Sequence, residues 1–158
     1  MQLNSDVKVL YEDNHLLVVE KPVNMLTQGD ATGDADLLSV LKQYIKEKYN
    51  KPGNVYLGLV HRLDRPVGGV MVFARTSKAA SRLSEQVRRG TFGKVYLAVV
   101  RGRPPKSGRL RHYLHKDSAT NMVRCFDMPK EGAKEAILEY QLLESLDVTQ
   151  SAGILSLV

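Results

Sequence analysis

Residues 61–69 read "HRLDRPVGG" and place one carboxylate, Asp64, between two guanidinium groups, Arg62 and Arg65, with His61 just ahead. A carboxylate flanked by cations stays ionised at neutral pH. That suits a nucleophile or an electrostatic stabiliser better than a proton donor. Arg62 and Arg65 are of the type that grips phosphate, through two hydrogen bonds where geometry permits. Gly68 and Gly69 allow a tight turn or the close approach of a ligand. The competing reading of the same residues is a structural ion pair at the end of a strand.

The charge around this segment is uneven. The chain of 158 residues carries a net charge of +6, but residues 62–111 hold 13 Lys or Arg against two acids, Asp64 and Glu85. That stretch has a net charge of +11, and the remainder has −5. A concentrated basic segment predicts a polyanionic partner, because each phosphate neutralised releases condensed counterions. A solvated basic face with no partner is the plainer alternative. One cysteine, Cys125, leaves no internal disulfide and fits a reducing compartment. No stretch has the length of a membrane span, and "MQLNSDVKVL" has no signal pattern, so a cytoplasmic location is expected.

Several elements must hold the charged segment in place. "VKVLYED" and "HLLVVEKP" predict a hairpin turning at Asp13-Asn14, with Lys21-Pro22 ending its second strand. After the loop "TQGDATGDAD", Leu37, Leu38, Leu41, Tyr44 and Ile45 share one helical face. Asp34 or Asp36 caps its start, and Asn50 with Pro52-Gly53 stops it. "VYLGLV" reads as a buried strand leading into His61, and "VMVFAR" as another after the glycine pair. Thr76 or Ser77 caps a second helix with Ala79, Ala80, Leu83 and Val87 inward and Arg88, Arg89 and Gly90 at its end. "KVYLAVVRG" reads as a strand, "GRPPKSGR" as a flexible basic loop, and "NMVRCFDM" and "AILEYQLLESL" as two more strands. The fold class expected is α+β, with a mixed, mainly antiparallel sheet and flanking helices.

"HRLDRPVGGVMVFART", with "VVEKP" before it and "KVYLAVVRG" after it, resembles the RluA-type pseudouridine synthase family over about residues 7–146. Three segments in the expected order carry the resemblance; the four-residue core alone would be weak. It implies a pseudouridine synthase catalytic domain that isomerises uridine to pseudouridine in structured RNA, ribosomal or transfer RNA, with no metal or other cofactor and no membrane. Asp64 would be the essential carboxylate, attacking C1′ or removing a ribose proton. Tyr96 would lie against the target uracil, where a sheet-packing tyrosine is the alternative. Arg62 would fill the stack vacated by the flipped uridine. His61 would orient the loop by hydrogen bonding, and Arg65 would contact substrate. Arg82, Arg88, Arg89, Arg101, Arg103 and Lys106, with Arg109 and Arg111 beyond them, would form a track for the RNA backbone. Gly68 stands where the family usually has Ser or Thr.

The chain also departs from the family. The family's later part carries a "T-G-R-x-H-Q-I-R"-like segment whose basic residue pairs with the catalytic aspartate. Residues 140–158, "YQLLESLDVTQSAGILSLV", contain none. The expectation is one incomplete catalytic domain over 1–158, C-terminally shortened, with no separate N-terminal RNA-binding domain and impaired as it stands. A non-catalytic RNA-binding fragment is the alternative. The apolar run "GILSLV" is expected to be an unpaired edge. His112 and His115 have a spacing that could chelate metal on a helix, but their neighbours complete no ligand set, and Cys125 is expected to be simply packed.

Overall fold

The computed structural model describes residues 7–120, 122–148 and 153–158. Asn121, which opens "NMVRCFDM", and residues 149–152 of the last segment lie outside the described residues. The α+β class holds, with antiparallel sheets and helices. The chain divides between Lys94 and Val95 into two compact units.

In the first unit, β1 (Lys8–Glu12), β2 (Leu16–Lys21), β3 (Gly58–Leu59) and β4 (Gly69–Ala74) form an antiparallel sheet in the order β1-β2-β4-β3. The hairpin turns where expected, with the Asp13 carboxylate accepting from the amides of His15 and Leu16. Alternation along β2 sends Leu17, Val19 and Lys21 to one face, and all three are fully buried. Met71 and Phe73 of β4 join them. Helix α1 (Leu37–Lys48) closes this face with Leu37, Leu41 and Ile45, and Val55 and Leu57 complete the core. Asp36, rather than Asp34, caps α1 by accepting from the Ser39 amide.

Helix α2 (Ser77–Arg88), capped by Thr76, packs on the opposite face of the sheet. There Gly58 leaves room for Ala80: a Cβ at position 58 would lie 2.9 Å from the Ala80 Cβ. Ala79, Ala80, Leu83 and Val87 do turn inward but are only half-buried. "VYLGLV" is extended but pairs through Gly58 and Leu59 alone, so the expected strand is shorter than its apolar run.

The second unit holds two antiparallel sheets, β5-β10-β9 and β7-β6-β8. Their strands are β5 (Val99–Arg101), β6 (Ser107–Asp117), β7 (Met122–Phe126), β8 (Lys134–Gln141), β9 (Glu144–Val148) and β10 (Gly153–Leu157). Four expectations change here. "GILSLV" is not an edge: it forms β10, paired on both sides. "AILEYQLLESL" is split between β8 and β9, because its two halves serve different sheets. Part of the supposed basic loop is strand, and Arg109 and Arg111 pair there with Glu139 and Glu135. Cys125 is exposed, not packed. His112 and His115 lie three apart on β6 and so face opposite sides of the sheet, which separates them as metal ligands. Among the described residues, no helix is long and apolar enough to cross a membrane.

One polar cluster ties the first unit together. The nearly buried Glu12 carboxylate accepts from Tyr44 Oη, Lys48 Nζ, Tyr49 Oη and Arg75 Nη1 at 2.9, 2.8, 2.7 and 3.1 Å. Burial pushes this carboxyl up, but the hydrogen bonds from Lys48, Tyr49 and Tyr44, with the Lys48 charge, outweigh it and hold the group below its ordinary 4.5. Its stabilisation is therefore complete above that ordinary value and fades as pH falls through the lower folded value. Glu12→Ala is expected to destabilise the protein by about 3 kcal/mol in urea unfolding at neutral pH, since Arg75 is left buried without its partner. The loss should shrink in acid.

Candidate active site

Between β3 and β4 the chain turns sharply: the Val67 amide donates to the Asp64 carbonyl at 3.0 Å. Asp64 thus occupies the first position of a tight turn, where aspartate is favoured. Its side chain is exposed. The carboxylate accepts no hydrogen bond from any described residue and forms no ion pair with one. The expected contact with flanking arginines is not made. Arg65 turns away, donating from Nη1 to Asp34 at 2.7 Å and from Nε to the Asn24 carbonyl at 3.1 Å. Arg62 is exposed and makes no ion pair with a described residue.

Beneath this turn lies a residue that the sequence marks only as the end of a strand. Lys21 is fully buried at the end of β2. Its ammonium donates to the carbonyls of Met25, Pro22 and Arg65 at 2.6, 3.0 and 3.3 Å. An ammonium has three donors, so all are spent on backbone. Burial lowers the Lys21 pKa, and the Asp64 carboxylate acts in the opposite direction. Lys21 makes no hydrogen bond to the Asp64 carboxylate and grips the carbonyl of the next residue instead. The sequence did hold a signal, since the alternation that buries Leu17 and Val19 also points Lys21 inward.

Further contacts hold the segment. The Thr27 hydroxyl donates to the Leu63 carbonyl at 2.6 Å. The Val72 amide donates to His61 Nε2 at 3.1 Å, where β3 has already ended. His61 thus supplies the acceptor that a longer strand would have given, and its neutral ring carries the proton on Nδ1. The ring also packs against Phe92, with centroids 5.5 Å apart. Gly68 abuts Val23 and the Lys21 carbonyl; a Cβ there would come within 3.1 Å of Val23 Cγ1 and 3.3 Å of that oxygen. This tightness is the physical setting for glycine where the family usually has Ser or Thr.

Of the other residues proposed from sequence, Arg82, Arg88 and Arg89 are exposed on or just after α2 in this same unit. Arg88 and Arg89 both bind the Glu85 carboxylate, so they present a partly neutralised pair, whereas Arg82 makes no ion pair with a described residue. Tyr96, Arg101, Arg103 and Lys106 belong to the second unit and are all exposed. Tyr96 precedes β5 and is not a sheet-packing residue, because "KVYLAVVRG" is strand only over Val99–Arg101. Among the described residues, no group of His, Cys, Asp and Glu is arranged to hold a metal ion.

Comparison with known proteins places the chain as a whole. Residues 15–155 match the family described as RNA pseudouridylate synthase, and the chain belongs to that family. It is 32% identical over 148 residues to tRNA pseudouridine synthase C of Haemophilus ducreyi, covering 94% of this chain and 58% of that protein. It is 32% identical over 144 residues to ribosomal large subunit pseudouridine synthase D of Nitrosomonas europaea, covering 87% of this chain and 39% of that one. The solved structure of human RNA pseudouridylate synthase domain containing 4 superposes with a TM-score of 0.72 at 24% identity, over 95% of this chain and 57% of that one. The chain thus spans between about two-fifths and three-fifths of these proteins' lengths. The family match runs into β10, so the last segment aligns although it lacks the arginine-rich motif.

Burial, then the Lys94 charge, lowers the His61 pKa below its ordinary 6.5. Protonation would put a second donor against the Val72 amide. The stabilisation from neutral His61 is therefore complete above the ordinary value and is lost as pH falls through the lower folded one. In denaturant titrations from about pH 8 to about pH 5, wild type should lose more stability than His61→Gln. Parallel curves would show that the ring does not hold the loop.

Proposed function

We propose that the protein isomerises uridine to pseudouridine in structured RNA, with Asp64 as the catalytic carboxylate. The observation that carries this reading is the exposed Asp64 carboxylate, unpaired among the described residues and held on a braced turn in a chain of the RNA pseudouridylate synthase family. The reaction breaks the N1–C1′ bond, turns the uracil and joins C5 to C1′. The C5 proton departs and N1 is protonated, so atoms and charge balance without an oxidant or a reductant. An ionised carboxylate serves whether it attacks C1′ or removes a ribose proton. The Lys21 ammonium is spent on three backbone carbonyls and leaves the carboxylate's acceptor positions open.

RNA is the proposed partner, and transfer RNA and large-subunit ribosomal RNA are the substrates to try first, since the relatives' names specify them. Arg62 would enter the helix as the target uridine leaves it, and Tyr96 would contact the uracil. Arg82, Arg101, Arg103 and Lys106 would follow the phosphate backbone, with Arg88 and Arg89 contributing once Glu85 is displaced. The single cysteine fits a reducing compartment, and the cytoplasm is the proposed location.

Asp64→Asn keeps shape and removes the charge. It should abolish pseudouridine formation on a transcript that wild type converts while leaving RNA affinity within about twofold, since the exposed carboxylate holds no partner among the described residues. Retained turnover would sink the assignment, and RNA binding by a wild-type protein that converts no uridine would favour a binding module instead. Replacing Arg101 and Arg103 by Ala should flatten the plot of log affinity against log salt by ~0.7 for each phosphate that these side chains neutralise. An unchanged slope would remove them from the RNA path.

A further inference from the structure

Asp64 is aimed by its backbone, and the polar side chain holding the preceding peptide has no role so far. With no hydrogen bond to the carboxylate from a described residue, its position follows from the Asp64 dihedrals and side-chain rotamer. Those dihedrals are set by the two peptide planes that meet at its Cα. The plane after Asp64 is pinned through its own carbonyl, which accepts from the Val67 amide at 3.0 Å. The plane before it is pinned through the Leu63 carbonyl, which accepts from the Thr27 hydroxyl at 2.6 Å.

We propose that Thr27 is a positioning residue for the reaction, fixing the Leu63–Asp64 peptide and so the direction in which Asp64 points. The proposal rests on Asp64 being the reacting carboxylate. Thr27 is well built for the task. It is 5% exposed, so its hydroxyl does not exchange its partner freely with water. Its carbonyl accepts from the Leu38 amide at 3.1 Å, and the Leu37 amide donates to the neighbouring Leu26 carbonyl at 2.8 Å, which anchors the Thr27 backbone on the first turn of α1. A β-branched side chain has few χ1 options, so an anchored backbone gives a fixed hydroxyl. The other nearby acceptor, Met71 Sδ at 3.8 Å, is weak, which leaves the hydroxyl proton for Leu63. Leu63 itself packs against the hydrophobic core. Lys21 holds the Arg65 carbonyl one peptide further on and does not replace Thr27, since it leaves the Leu63–Asp64 plane free to rotate.

Thr27→Val keeps the shape and removes the donor; Thr27→Ser keeps the donor. Turnover on a transcript that wild type converts would be measured beside the 15N resonance of the Asp64 amide, whose peptide carries the Leu63 carbonyl. Thr27→Val is expected to lower kcat about tenfold or more with KM nearly unchanged, because a small misplacement of a reacting group is costly. It should also move the Asp64 amide resonance while leaving the thermal unfolding cooperative. Thr27→Ser should recover both. An unmoved Asp64 resonance in Thr27→Val overturns the proposal, and so does a moved resonance with unchanged kcat. Equal losses in the Val and Ser variants also overturn it, by removing the hydroxyl from the explanation. If wild type converts no uridine in any RNA, the enzymatic reading fails and positioning for this reaction falls with it. The amide shift then still reports whether Thr27 holds the Asp64 peptide.

Discussion

A fully buried ammonium with no carboxylate in contact constrains the site more than any other feature. Taking the Lys21 charge out of water costs several kcal/mol, and three backbone carbonyls must converge on it to offset that cost. Two of these belong to the chain just after β2, and the third to the residue after Asp64. The ammonium is therefore satisfied only when the loop after β2 and the turn bearing Asp64 sit in one relative arrangement. A neutral residue at position 21 would place no such demand on the chain.

The rest of the first unit supports that arrangement. The apolar face of Leu17, Val19, Met71 and Phe73 against α1 fixes where β2 ends. The start of α1 fixes Leu26 and Thr27 through backbone bonds, and Thr27 in turn reaches Leu63. Arg65 returns to the same loop through Asp34 and Asn24. Residues 21–36 thus brace the turn from one side, and His61 secures it to β4 from the other. The outcome is an aspartate with a held backbone and an open carboxylate. A reacting carboxylate benefits from this combination, because hydrogen bonds to its oxygens would compete with substrate, whereas a fixed main chain does not.

Electrostatics are divided in the same way. Of the cations that give residues 62–111 their excess charge, Arg88 and Arg89 share Glu85, while Arg109 and Arg111 pair with Glu139 and Glu135. Those left without an ion pair among the described residues include Arg62, Arg82, Arg101, Arg103 and Lys106. Simple charge counting over a window overstated the attraction available to a polyanion, because two of the matching acids, Glu135 and Glu139, come from β8, outside that window. The pairing is a consequence of strand register, which a linear count does not contain.

Much was legible in the residues themselves. Short apolar runs bounded by turn residues placed β1, β2 and β4, the 3.6-residue period and caps placed α1 and α2, and the motif order placed the chain in its family. These rest on local rules: side-chain direction, backbone preference and capping act over a few residues. Other features rest on contacts far apart in sequence. The division of "AILEYQLLESL" between two sheets, the central place of β10, and the partner of Arg65 depend on which strands and loops meet. Lys21 shows the boundary most clearly. Alternation alone turns it inward, but only the tertiary structure brings the Arg65 carbonyl, 44 residues away, to its ammonium and so makes it the support of Asp64.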